Sequence, residues 1–90
     1  MYKLDEIASV LADANDKEYI EEFLSRILTE SEVAGISSRW EIVKLLKTGL
    51  SQRKISDRLG VSLCKITRGS KEIKDEDSAL SRMVDEFNSK

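Results

Sequence analysis

Residues 51–74 read SQRKISDRLGVSLCKITRGSKEIK, and their spacing predicts a helix-turn-helix. Counted from Gln52, Gly60 falls at the ninth position, the tight turn where a left-handed backbone favours a residue without Cβ. Ile55, Leu59, Val61 and Ile66 fall at the fourth, eighth, tenth and fifteenth positions, where side chains pack the two helices on each other. Ser56 is small at the point where the second helix crosses the first. The expected pair spans about 51–70, with Ser51 as the first cap and a recognition helix beginning near Ser62. One position breaks the pattern. The eighteenth, ordinarily a large apolar core residue, is Gly69. Either this glycine ends the helix as a C-cap, or something other than protein fills the space it leaves, in which case Gly69→Leu should fill the gap and leave folding intact.

The rest of the chain predicts helices as well. There is no Pro, and only four Gly, in 90 residues. Leu4, Ile7, Ala8 and Leu11 recur at helical spacing until Asn15-Asp16 interrupts them. Ile20, Phe23, Leu24, Ile27 and Leu28 form a second stripe. Thr29 and Glu32 form a capping box before a third helix, which carries Val33, Ile36, Trp40, Val43 and Leu46 and stops near Gly49. Asp75-Glu76-Asp77-Ser78 reads as the start of a last helix bearing Leu80, Met83, Val84 and Phe87, with acids at the positive end of its dipole. The expectation is one all-α domain over residues 1–90, of about six helices around a central helix-turn-helix.

Charge is sharply partitioned. Residues 1–32 hold three cations against nine acids, residues 33–74 ten cations against three, and residues 75–90 two against five. The overall charge of −2 therefore conceals a +7 block that coincides with the helix-turn-helix, as phosphate binding requires; a merely solvated charged face is the plainer alternative. With no His and one Cys, His-based catalysis and zinc sites are not expected, and neither is any enzyme activity. A single Cys suits a reducing cytoplasm. No secretory leader and no membrane span are expected.

The SQR segment, the helix-turn-helix and the ITRGS segment together resemble the Trp repressor family over roughly Leu28 to Lys74. That resemblance implies an intertwined bacterial homodimer whose end helices interlock with a second subunit. It would explain why the first, second and last helices carry apolar faces with little loop to fold them back; a compact monomer is the alternative. It also implies a repressor of tryptophan biosynthesis or transport genes that binds double-stranded operator DNA when L-tryptophan is bound as corepressor. Two recognition helices one turn of duplex apart suit a palindromic operator.

The resemblance carries roles onto particular residues. Arg53 matches an Arg directed at guanine, a bidentate donor suited to O6 and N7. Ser62, Leu63, Cys64, Lys65 and Thr67 occupy the exposed start of the recognition helix. Leu63 and Cys64 offer only apolar contact there, and Lys65 and Thr67 can hydrogen-bond. Gln52, Lys54 and Arg58 are expected at phosphates or are merely exposed, and Lys74 is counted with the DNA-binding residues. Cys64 has no resolving partner for a redox role. For the ligand, Arg39 and Arg68 match the two Arg side chains that hold the indole ring and carboxylate, Gly69 the glycine against which the ring lies, and Thr29 a pocket-lining Thr. A phosphate contact for Arg68, or a surface pair of Arg39 with Glu32 or Glu41, is the competing assignment.

Two positions depart from the family's tryptophan binders. The stretch from Arg39 to Leu45-Leu46 is one residue shorter, a rotation of about 100° around a helix, so Arg39 reaches the site only if the local geometry compensates. Glu72 replaces a Ser at the ligand's amino end, where a carboxylate would pair with an ammonium or repel a ligand carboxylate. The alternatives to a tryptophan-responsive repressor are a regulator of the same fold sensing another ligand or none, and an adaptor without DNA binding, which the +7 block disfavours.

Overall fold

The computed structural model describes residues 3–75 and 77–90. They form six helices: α1 (Leu4–Asp13), α2 (Lys17–Ile27), α3 (Glu30–Lys47), α4 (Gln52–Leu59), α5 (Leu63–Lys74) and α6 (Ala79–Asn88). Among the described residues there is no strand. They divide into two compact units, one ending at Val33 and the other beginning at Ala34.

In the first unit the chain is turned by side-chain caps. The Asp16 carboxylate accepts from the Glu18 N–H at 3.0 Å and the Tyr19 N–H at 3.5 Å, which stops α1 from running into α2. At the start of α3 the Thr29 hydroxyl accepts from the Glu32 N–H at 3.1 Å, and the Glu32 carboxylate accepts from the Thr29 N–H at 2.9 Å, forming the expected reciprocal box. Neither α1 nor α2 contains a buried residue. Leu4, Val10, Tyr19 and Ile27 are all at least half exposed.

The second unit holds the core. Ile42, Ile55 and Ile66 are buried together, one each from α3, α4 and α5, with Leu45, Leu46, Leu50, Leu59 and Val61 packed around them. Each fully buried Ile stabilises by about 1.5–3 kcal/mol. The residues expected to form the helix-turn-helix form α4, a three-residue connection and α5, the most extensively packed helix pair of the described residues. Gly60 sits in that connection at φ 68°, in the left-handed region, with its N–H donating to the Ser56 carbonyl at 2.9 Å. Ser56 also donates its hydroxyl to the Val61 carbonyl at 2.7 Å, so its small size leaves room for a bond that ties the turn. The Ser51 hydroxyl accepts from the Lys54 N–H at 3.2 Å and opens α4. Gly49, at φ 90°, ends the turn after α3.

Three expectations are corrected. First, the stripe expected on one side of α3, through Val33, Ile36, Trp40, Val43 and Leu46, leaves out a core residue. Ile42 lies off that stripe and is buried against Ile55 and Ile66, Ile36 is exposed, and Trp40 is half-buried in an edge-to-face contact with Phe87 at 5.8 Å. The helix is apolar on more than one side because α4 and α5 meet one flank and α6 another. Second, α6 starts at Ala79, not within the acidic run. Ser78 is its N-cap, accepting from the Ser81 N–H at 3.2 Å; Asp75 caps the end of α5, Asp77 precedes the cap, and Glu76 lies outside the described residues. A side-chain cap outweighs helix-dipole preference in choosing where the helix begins. Third, Gly69 is neither a C-cap nor a hole waiting for a Leu. It lies inside α5, six residues before Asp75, and a β-carbon there would be 2.8 Å from Ile42 Cγ2 and 3.5 Å from Leu46 Cδ1. Close approach of α3 demands the glycine, so Gly69→Leu would force the helices apart.

Candidate DNA-reading helix and adjoining cavity

Two helix faces define the site. Along α5, Lys65, Arg68, Gly69 and Glu72 follow the i, i+3, i+4, i+7 spacing of one helical face. Along α3, Gly35, Ser38, Arg39 and Ile42 follow the same spacing. These two faces, with Val43 and Leu80, line one cavity of about 320 Å³. Its apolar side is made by Ile42, Val43, Leu80 and the bare backbone of Gly69, and its polar side by three cations and the Glu72 carboxylate. The volume stands at the low end of small-molecule sites, roughly 300–1,000 Å³.

Arg39, Arg68, Gly69 and Glu72, the residues that the resemblance assigned to a ligand, are thus brought together. The shortened spacing after Arg39 does not turn it away from the cavity, and its lining position disfavours a surface pairing: among the described residues Arg39 is in no ion pair, and Glu41 pairs with Lys44 instead, at 3.4 Å. Thr29 belongs to the first unit, where it caps α3. Gly35, Ser38, Val43 and Leu80 were not anticipated. The first two carried a usable signal, because the 35/38/39/42 spacing repeats that of 65/68/69/72. Leu80 carried none, since its approach depends on the path of the chain into α6. Glu72 makes a contact that motif reasoning missed: its Oε2 accepts from the Ser78 hydroxyl at 2.6 Å, tying the cavity wall to the cap of α6.

The first turn of α5 bears the residues expected at DNA. Ser62 is the N-cap, without a side-chain cap bond, and Leu63, Cys64, Lys65 and Thr67 are exposed. Leu63, Cys64, Thr67, Arg68 and Lys71 border a shallow second depression. The Thr67 hydroxyl lies 3.0 Å from the Leu63 carbonyl and 3.1 Å from Gln52 Oε1, so its single proton is shared between α5's own backbone and the start of α4. Arg53 and Lys54 are exposed in the first turn of α4, and Lys74 is exposed at the last residue of α5. Lys65 belongs to both surfaces, since it is exposed and also lines the cavity.

The family described as Trp repressor protein matches residues 2–88. The chain belongs to the Trp repressor family. Similar proteins include the Trp operon repressor homolog of Vibrio cholerae, 37% identical over 84 residues, 88% of this chain and 82% of that protein. The homolog of the same name in Vibrio parahaemolyticus is 37% identical over 82% of this chain and 73% of its own length. The one from Chlamydia trachomatis serovar D is 37% identical over 76% and 73% respectively. No solved structure matches the chain significantly. Within the Trp repressor family the chain is a repressor, and its six-helix, strand-free architecture among the described residues agrees with that fold. No helix of the described residues is long and apolar enough to cross a membrane.

Proposed function

We propose that this member of the Trp repressor family is a cytoplasmic, homodimeric repressor that binds operator DNA of tryptophan biosynthesis or transport genes when L-tryptophan occupies the cavity. The observation that carries this reading is the division of labour on α5. One face of the helix lines the cavity, and its exposed start carries Leu63, Cys64 and Lys65, with Thr67 one turn on. A ligand packed between α3 and α5 sets the pose of the helix that meets DNA. It shifts the balance between poses only by its differential affinity for the DNA-competent one.

In this mechanism Arg39 and Arg68 hold the indole face and carboxylate, Gly69 admits the ring against backbone, and Glu72 meets the ammonium. Arg53 reads guanine as a bidentate donor. Leu63 and Cys64 touch thymine methyl groups. Lys65 and Thr67 hydrogen-bond bases or phosphates, while Gln52, Lys54, Ser62 and Lys74 hold the backbone. The residues from 1 to 90 act as one operating domain, and the exposed apolar side chains of α1, α2 and α6 are covered by a second copy.

The test compares the affinity of duplexes selected from a random pool with and without saturating L-tryptophan. Tightening of several-fold is expected, and by linkage DNA tightens the ligand by the same factor. Equal affinities would remove tryptophan from the mechanism. A second reading, a repressor of this fold answering to another zwitterion or to none, is favoured by the Glu72 carboxylate on the wall, and the same titration with other amino acids separates the two.

A further inference from the structure

This inference rests on the reading that α4 and α5 meet DNA with Arg53 at a guanine, and concerns what holds Arg53 in aim. Arg53 is the second residue of α4, in a first turn whose early N–H groups have no acceptor within the helix, so that turn is held from outside it. Ser51 supplies one hold, accepting from the Lys54 N–H at 3.2 Å. The other comes from α5. The Thr67 hydroxyl reaches Gln52 Oε1 at 3.1 Å, and among the described residues this is the one side-chain to side-chain hydrogen bond between α4 and α5. Gln52 is half-buried beside the exposed Arg53 and Lys54. The same two helices are tied near their turn by the Ser56 hydroxyl, which donates to the Val61 carbonyl at 2.7 Å. In sequence, the fully buried Ile55 and Ile66 lie between the two ties. Apolar packing resists separation of the helices but is non-directional, whereas a hydrogen bond weakens steeply as it bends. The ties therefore fix how each helix is turned about its own axis, and the Gln52 tie acts one residue from Arg53.

We propose that Thr67 is a positioning residue for base reading: by holding the Gln52 amide it fixes the first turn of α4 and so aims Arg53 at its guanine. This task is separate from the contact assigned to Thr67 at DNA. With the Gln52 oxygen engaged by Thr67, the two N–H donors of the same amide remain for a phosphate. One side chain then joins the DNA-backbone contact of α4 to the recognition helix. A bidentate pair between guanidinium and guanine needs two donors in line at once, which makes it sensitive to a small rotation of the helix that carries it. A phosphate contact from a flexible Lys tolerates the same rotation. Loss of the tie is therefore read in base discrimination and not in the salt dependence of binding.

Competition binding of the full chain to duplexes selected from a random pool, in saturating L-tryptophan, tests this. Arg53→Ala first identifies the base whose preference it relaxes. Thr67→Val, which keeps the shape and removes the hydroxyl, should lower discrimination at that same base by about twofold to tenfold, the span of one net hydrogen bond, with the salt slope unchanged. Gln52→Met should do the same, and the double variant should lose no more discrimination than either single one. Thr67→Ser, which restores the hydroxyl, should keep the parent's discrimination, and helicity by circular dichroism checks folding in each. Intact discrimination in folded Thr67→Val, with affinity unchanged or falling alike for every duplex, overturns the proposal, as does additive loss in the double variant. An Arg53→Ala variant that keeps every base preference instead brings down the guanine reading on which the proposal stands, and does so without any Thr67 or Gln52 variant.

Discussion

At Gly69 one hydrogen atom lets two helices touch. Ile42 Cγ2 would stand 2.8 Å from a β-carbon there, and Ile42 is itself buried against Ile55 and Ile66, so it has little room to retreat. Gly69→Ala should gain about 1 kcal/mol of helix propensity and lose about 1–3 kcal/mol to overpacking. Thermal denaturation should therefore show net destabilisation, partly relieved by Ile42→Leu, which removes the offending methyl; an alanine variant more stable than the parent would show that α3 gives way freely. Arg53 and Lys54 are adjacent and both exposed, yet they are expected to behave differently. Arg53→Ala should cost about 1–3 kcal/mol at a selected operator and relax one base preference, whereas Lys54→Ala should weaken all duplexes alike and lower the salt slope by about one. Competition binding across single-base operator variants separates them. If both variants lose only salt-dependent affinity, Arg53 is a backbone contact.

Among the helices, two side-chain caps were legible in advance because cap and pattern stand together in the sequence. Thr29 with Glu32, and Ser51, are of this kind, and Gly60 marks its turn for an equally local reason; Asp16 was legible only as a break between helices, not as the cap of α2. The α6 start was misplaced because three acids upstream mimic a first turn, while the deciding bond, Ser81 N–H to Ser78, is a single hydroxyl in a run of polar residues. Ser78→Ala should cost about 1 kcal/mol as a lost cap. It should also free Glu72 and weaken tryptophan binding, which denaturant titration and calorimetry would report separately. Of the cavity, the parts legible in the sequence were those written into the TRGS segment and Arg39. The approach of Ile42 to Gly69 was not, because it depends on the spacing of α3 and α5, which residues distant in sequence determine. The same non-local cause hid Leu80. It also turned an absent side chain, read as free space, into a point of contact.

For the molecule as a whole, the exposed Leu4, Val10, Tyr19 and Ile27, with Met83 and Phe87 on α6, represent apolar surface that water penalises. If a second copy covers it, folding and association are one equilibrium. The denaturation midpoint should then rise with protein concentration, and light scattering at micromolar concentration should report twice the 10.2 kDa chain mass. A stable particle of single-chain mass would rule the dimer out. Lastly, Ile42 has a double membership: it is a wall of the cavity and a third of the buried trio that joins α3, α4 and α5. Anyone wishing to retune this molecule as a biosensor therefore has unequal freedom around the cavity. Changes at its rim, at Arg39 or Leu80, leave that trio in place, whereas Glu72 also holds the cap of α6. Under the proposed function, changes at its floor would detune the DNA-facing helix along with the cavity, because both are built on the same isoleucine.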